Sequence, residues 1–223
     1  GLFSRCPRTG LLWALEGLGW QNLRPVSRIL AQLSLTQIDD NWANKPIASL
    51  SALFRSWMPQ TAAPLSERIK VLEELVRDFP DVAWEICIQQ FDPSDRTGFY
   101  SHKPALRNDA IGQGEPRTGR EHYEFCRKAF ELALAWESHT ASQLGDLVQH
   151  LEGIPEEEQG RVWDLIDDWA ERTTDEKAKA TLRETIRRFA FTRRGRRQGR
   201  TVRLRPSRKR INSHAPQQRS SAR

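Results

Sequence analysis

The chain has 223 residues and a formal net charge of +6, and its eight Trp and nine Phe can fill the core of one or two domains. The charge is divided: Arg193 to Arg223 hold eleven Arg, one Lys and no Asp or Glu, +12 in all, which leaves −6 on residues 1–192. The basic pI therefore belongs to the tail, and no stretch is apolar for long enough to span a bilayer.

No secretory signal is visible, and a first residue of Gly in place of Met points to a fragment, a processed form or a cloned segment. Three widely spaced Cys (Cys6, Cys87 and Cys126) give neither a disulfide framework nor a paired CxxC metal knuckle. Cys87 and Cys126 lie within apolar helical patterns and read as buried thiols, which favours a reducing, cytoplasmic setting.

Helical periodicity governs the elements in chain order. Leu11, Leu12, Leu15 and Leu18 recur at helical spacing after a cap at Thr9, and Gly17 and Gly19 weaken that helix toward its end. Leu23, Val26, Ile29, Leu30 and Leu33 form the next stripe, with Pro25 in its first turn. The Asn-rich stretch around Trp42 reads as a loop that this Trp locks onto a neighbouring helix. A third helix starts near Pro46, buries Ile47, Leu50, Leu53, Phe54 and Trp57 and stops at Met58-Pro59. A fourth opens at Pro64, with Leu65, Ile69, Leu72, Leu75, Val76 and Phe79 inward. Pro80 breaks it, and a short fifth helix runs from Val82 to about Phe91.

Residues 93–119, rich in Gly and Pro, read as a long loop between N-terminal helical hairpins (1–92) and C-terminal helices (120–192). Helices resume near Arg120 on a stripe of Tyr123, Cys126, Phe130, Leu134 and Trp136. Another follows Thr140 with Leu144, Leu147, Val148 and Leu151. Pro155 before three Glu reads as a helix start, with Val162, Leu165, Ile166 and Trp169 inward. Thr173 and Glu176 fit a capping box for a last helix that buries Leu182, Ile186 and Phe189. Residues 193–223 have the composition of a disordered tail. The expected fold is all-α: about eight short helices packed as hairpins, in an irregular repeat-like solenoid or bundle, because no single helix can bury its own apolar face.

Leu11-Leu12-Trp13-Ala14-Leu15-Glu16, Asn41-Trp42-Ala43-Asn44-Lys45-Pro46 with Ser49-Leu50, Trp57-Met58-Pro59-Gln60-Thr61 and the run Arg187 to Arg197 form a further pattern. Across roughly residues 9–197 it resembles the helical-repeat region of large bacterial signal-transducing NTPases of the NACHT/STAND type, a group that includes antiphage defence proteins. The resemblance implies a sensor or protein-contact scaffold whose ATPase core and effector domain lie elsewhere. The chain departs from the full family pattern in lacking a GxxxxGK[ST] phosphate loop, so nucleotide binding does not carry over. The loss of helical character expected after Arg197 fits a truncated or frameshifted gene.

No catalytic, cofactor or metal constellation stands out, and the chain reads as a non-enzyme. His122 and Cys126 share a helix face but have no second ligand pair. Glu156, Glu157 and Glu158, with Asp164, Asp167 and Asp168, read as a solvated face rather than an acid–base pair. The candidate partner contacts are Phe99, Tyr100, His102, Lys103 and Arg107, which mix aromatic and basic groups in the long loop. The alternative function is nucleic-acid binding through Arg193, Arg194, Arg196, Arg197, Arg200, Arg203, Arg205, Arg208, Lys209 and Arg210. These can neutralise phosphates, although the tail offers no aromatic residue for base stacking.

Overall fold

The computed structural model describes residues 7–36, 45–92, 99, 101–103 and 118–203, with side chains among them from Thr9 to Arg193. Their regular structure is helical throughout: α1 (Pro7–Gly19), α2 (Leu23–Ser34), α3 (Pro46–Phe54), α4 (Leu65–Asp78), α5 (Pro80–Gln89), α6 (Gly119–Leu134), α7 (Ala141–Gln149), α8 (Gln159–Arg172) and α9 (Glu176–Arg203). Two short 3₁₀ turns, Leu151–Gly153 and Glu156–Glu158, join α7 to α8.

The helices stack in two layers. Sequential helices pack across the layers, α1 on α2, α2 on α3, α4 on α5 and α5 on α6. Within a layer, α1, α3 and α5 pack in turn, and so do α2, α4 and α6. The odd layer continues through Trp84 of α5, whose Nε1 donates to Asp146 of α7 at 3.0 Å, and then through the packing of α7 on α9. The even layer continues through Arg161 of α8, which donates two hydrogen bonds to Glu131 of α6 at 2.8 and 3.0 Å. This is the expected array of helical hairpins, and one continuous core runs from Leu12 to Leu182.

Polar groups set the helix starts. Thr118 and Thr140 each form a capping box, with Glu121 and Gln143 respectively. Thr140 Oγ1 accepts from Gln143 N at 3.2 Å while Gln143 Oε1 accepts from Thr140 N at 2.9 Å. Thr140→Ala should therefore cost about 1 kcal/mol in urea denaturation.

Several expected details need correction. The cap of the last helix is Asp175, whose Oδ1 accepts from Lys177 N and Ala178 N at 2.9 and 3.1 Å, and not Thr173. Thr9 lies inside α1. The buried face of α6 is Phe125, Ala129, Phe130 and Ala133, whereas Tyr123 is 53% exposed. Leu11, Leu18 and Ile29 are likewise close to half exposed. Pro155 and its three Glu start a 3₁₀ turn, with α8 following. α9 continues to Arg203, eleven residues past Thr192, since Arg is a good helix former and the next Pro is Pro206. Residues 204–223 and Trp42 lie outside the described residues.

Candidate functional site

The residues of the expected partner loop are placed very differently from one another. Phe99 is 89% exposed, but its own carbonyl and the backbone at Ser101 and His102 are held. Gln60 Nε2 donates to Phe99 O at 2.9 Å, and Gln60 Oε1 accepts from Ser101 N at 2.9 Å and His102 N at 3.2 Å. One buried amide thus satisfies three backbone groups that the loop would otherwise leave to water. His102 is buried, which corrects its reading as a surface contact. Lys103 is half-buried, with Nζ 6.0 Å from the centre of the Trp20 ring. Tyr100 and Arg107 lie outside the described residues.

His102 Nε2 faces Glu16 Oε1 at 3.6 Å, and the same oxygen accepts from Ser49 Oγ at 2.6 Å. A Ser nucleophile needs the imidazole between itself and the acid. Here the carboxylate stands between Ser49 and His102, so the trio cannot activate a hydroxyl, and it serves instead to join α1, α3 and the loop. Burial, with the charge of Arg55 adding, pushes the imidazole down to about 4. An unfolded His titrates near 6.5, so the unfolded state takes up a proton first as the pH falls. Stability should be flat above about pH 6.5 and fall by at most about 2 kcal/mol by pH 5. Urea midpoints at pH 7.5 and 5.0 should differ less in His102→Gln than in the parent chain.

A second region has the geometry of a site. A cavity of about 490 Å³ opens where α3, α5 and α7 end and α6 passes beneath them. That volume lies in the range of ligand and side-chain pockets. Its walls come from Ser51 of α3 and Arg55, Ser56 and Trp57 after it, from Gln89 at the end of α5 and Gln90 to Asp92 after it, from His122, Tyr123, Cys126, Arg127 and Phe130 of α6, and from Gly153, Pro155 and Glu158. The walls are preformed. Ser56 N donates to Gln90 Oε1 at 3.0 Å, Gln90 Nε2 donates to Ile86 O at 2.7 Å, and the Arg55 guanidinium lies 5.2 Å from the Trp57 ring centre. Trp57 is therefore a cavity wall and not a core residue of α3.

Glu158 is neutralised by Arg161 Nη1 at 2.9 Å, which also lies over Phe130. Arg55 sits at the carboxyl end of α3, where its charge offsets the helix dipole. Arg127 is exposed and forms no ion pair among the described residues. Cys126 Sγ lies 3.6 Å from His122 Nδ1, but burial holds its thiol above the usual range, the opposite of an activated nucleophile. Among the described residues no group of three or more His, Cys, Asp and Glu could hold a metal.

Reading Tyr123 as buried hid this site. The signal lay in the Phe125–Ala129–Ala133 stripe, which turns Tyr123 and Arg127, one turn apart, outward together. Of the basic candidates, the Arg193 guanidinium lies 6.0 Å from the Phe189 ring centre. Arg194, Arg196, Arg197, Arg200 and Arg203 fall on the last turns of α9, while Arg205, Arg208, Lys209 and Arg210 lie outside the described residues. No helix among the described residues is long and apolar enough to cross a membrane. No family model, no curated protein and no solved structure matches the chain.

Proposed function

We propose that the chain is a non-catalytic helical scaffold that binds a protein partner in the cytoplasm, of the kind found in the helical-repeat region of bacterial NACHT/STAND-type NTPases with signalling or antiphage-defence roles. The observation that carries this reading is the preformed cavity rimmed by Trp57, Tyr123 and Arg127, because aromatic and Arg side chains are the usual anchors of protein interfaces. The residues that carry the family resemblance support it by acting structurally. Glu16 and Ser49 bond to each other, Thr61 Oγ1 donates to Gly19 O at 3.0 Å, and Gln60 clamps the loop. Selection of displayed peptides on the full chain should enrich sequences whose binding is lost in Tyr123→Ala. ATP turnover by the pure chain would overturn the reading.

A second reading, nucleic-acid binding, is favoured by one observation. Continuation of α9 puts Arg193, Arg196, Arg197, Arg200 and Arg203 at three- and four-residue spacing along one helix. Such a row can track phosphates, and binding should weaken steeply with salt. Deleting residues 193–223 should abolish it; unchanged salt-sensitive binding by the shortened chain would refute the role of this row.

A further inference from the structure

We propose that the cavity between the ends of α3 and α5 and the face of α6 takes an aromatic side chain of a partner peptide, with a neighbouring acidic residue of that peptide pairing with Arg127. The proposal rests on the reading of the chain as a protein-binding scaffold and names the chemistry of its partner.

Three observations converge on that occupant. The first is shape and lining. A volume of about 490 Å³ has four aromatic residues, Trp57, Phe91, Tyr123 and Phe130, in its lining. Aromatic pairs gain most in offset or edge-on arrangements, and Phe91 and Phe130 already hold one, with ring centres 5.9 Å apart and planes at 80°. The second is charge. Of the two lining carboxylates, Glu158 is taken by Arg161 and Asp92 follows the end of α5, while Arg55 is stacked on Trp57 at the end of α3. Arg127 remains an exposed guanidinium without an ion pair among the described residues, at the edge of an apolar hollow. A planar fork of donors in that position fits a carboxylate bidentately. The third is rigidity. Gln90 ties the Ser56 backbone to α5, and Arg161 ties α8 to α6, so an entering ring meets walls that need no ordering on binding.

Occupancy can be read at the cavity itself. The indole N–H resonance of Trp57, assigned by its absence from Trp57→Phe, should move when the full chain is titrated with the blocked peptide acetyl-Glu-Phe-Glu-amide. The basic segment after Arg193 attracts any acidic peptide, so the informative quantities are differences within the full chain. Acetyl-Glu-Ala-Glu-amide and acetyl-Lys-Phe-Lys-amide should each bind at this resonance at least about tenfold more weakly. Tyr123→Ala should weaken the Glu-Phe-Glu peptide to a similar degree. Arg127→Glu should reverse the preference, so that the Lys-Phe-Lys peptide binds better than the Glu-Phe-Glu peptide.

Equal affinity for the acidic and basic peptides, or an Arg127→Glu variant with unchanged preference, overturns the proposal. If none of the three peptides moves the Trp57 resonance while displayed peptides of other chemistry bind and are lost in Tyr123→Ala, the acidic–aromatic assignment falls and the scaffold reading stands. If no displayed peptide is enriched, both fall together.

Discussion

Arg68→Ala should destabilise the fold by about 3–5 kcal/mol, the range found when one partner of a buried ion pair is removed. Arg68 sits on α4 with its side chain wholly buried, facing α6 of the same layer. Its Nη2 lies 3.6 Å from Glu121 Oε1, and its guanidinium lies 5.2 Å from the centre of the Phe125 ring. Phe125 in turn stacks on Phe54 of α3, at 6.4 Å between ring centres. The cation therefore links α4 and α6 within a layer and, through Phe125, reaches the other layer. Truncation to Ala removes the charge pairing, the ring contact and the packing of a long side chain together, and leaves Glu121 half-buried without its counter-ion.

Two further variants separate these contributions. Arg68→Met keeps most of the volume and removes the buried charge, so it should lose less than half as much. Glu121→Gln keeps the capping box with Thr118 but leaves the Arg68 cation in the core, so it should fall between the other two. The order Ala, then Gln at 121, then Met should hold in urea midpoints. For a chain of this size the Ala variant should lower Tm by about 10 °C. High salt should not abolish the difference, because a buried pair is screened far less than exposed pairs such as Arg24–Glu74. Equal losses from Ala and Met would show that the packing of the long side chain contributes nothing beyond the charge.

Arg68 also marks where the sequence stops being informative. The fourth helix is legible from Leu72, Leu75 and their neighbours, whose spacing gives one apolar face. Arg68 lies at that same spacing, four residues before Leu72, but an Arg in such a position reads as surface because its burial depends on Glu121 and Phe125, more than fifty residues away. α6 shows the same limit in reverse. A stripe can be drawn through Tyr123, Cys126 and Phe130, and the packing chooses Phe125, Ala129 and Ala133 because the small Ala residues let the neighbouring helices approach. Periodicity establishes that a helix is amphipathic; long-range contacts decide which of two adjacent faces is turned inward.

The loop around His102 fails for a related reason. Its Gly and Pro content predicts irregular backbone, which is what Phe99 and Ser101 to Lys103 show, but composition carries no sign that Gln60 meets Phe99, Ser101 and His102. The cavity is assembled from four separate stretches of chain, and only the Tyr123–Arg127 spacing on α6 was open to inspection in advance. The layer order was more accessible. Short helices broken at Pro46, Pro64 and Pro80 leave little choice but to pair with their neighbours, and the two-layer stack is that choice carried along the chain.

Gly153→Ala should be among the most damaging single-atom additions to this fold, costing at least about 3 kcal/mol, the upper end for overpacking. A Cβ built on Gly153 would lie 1.8 Å from the Phe91 carbonyl oxygen and 2.7 Å from its carbonyl carbon. Both obstructing atoms are backbone, so no side-chain rotation relieves the clash. Neither segment is free to withdraw. Phe91 N donates to Ile88 O at 3.0 Å and its ring packs on Phe130, while Gly153 N donates to His150 O at 2.9 Å between the buried Leu151 and Ile154. Other glycines provide the contrast. Gly160, inside α8, has nothing within 4 Å of an added Cβ, so Gly160→Ala should stabilise by about 0.5–1 kcal/mol through helix propensity. Gly145 meets only the Thr185 side chain, at 3.3 Å, and should tolerate Ala with little change. Urea midpoints of the three variants should therefore differ in sign as well as size. The Gly153 contact also sets the floor of the cavity, since Gly153 and Phe91 both line it. At temperatures where Gly153→Ala remains folded, the Trp57 indole resonance should be displaced even without peptide, whereas Gly160→Ala should leave it in place. A Gly153→Ala variant with unchanged stability and an unmoved Trp57 resonance would show that the chain does not bring these two backbones together.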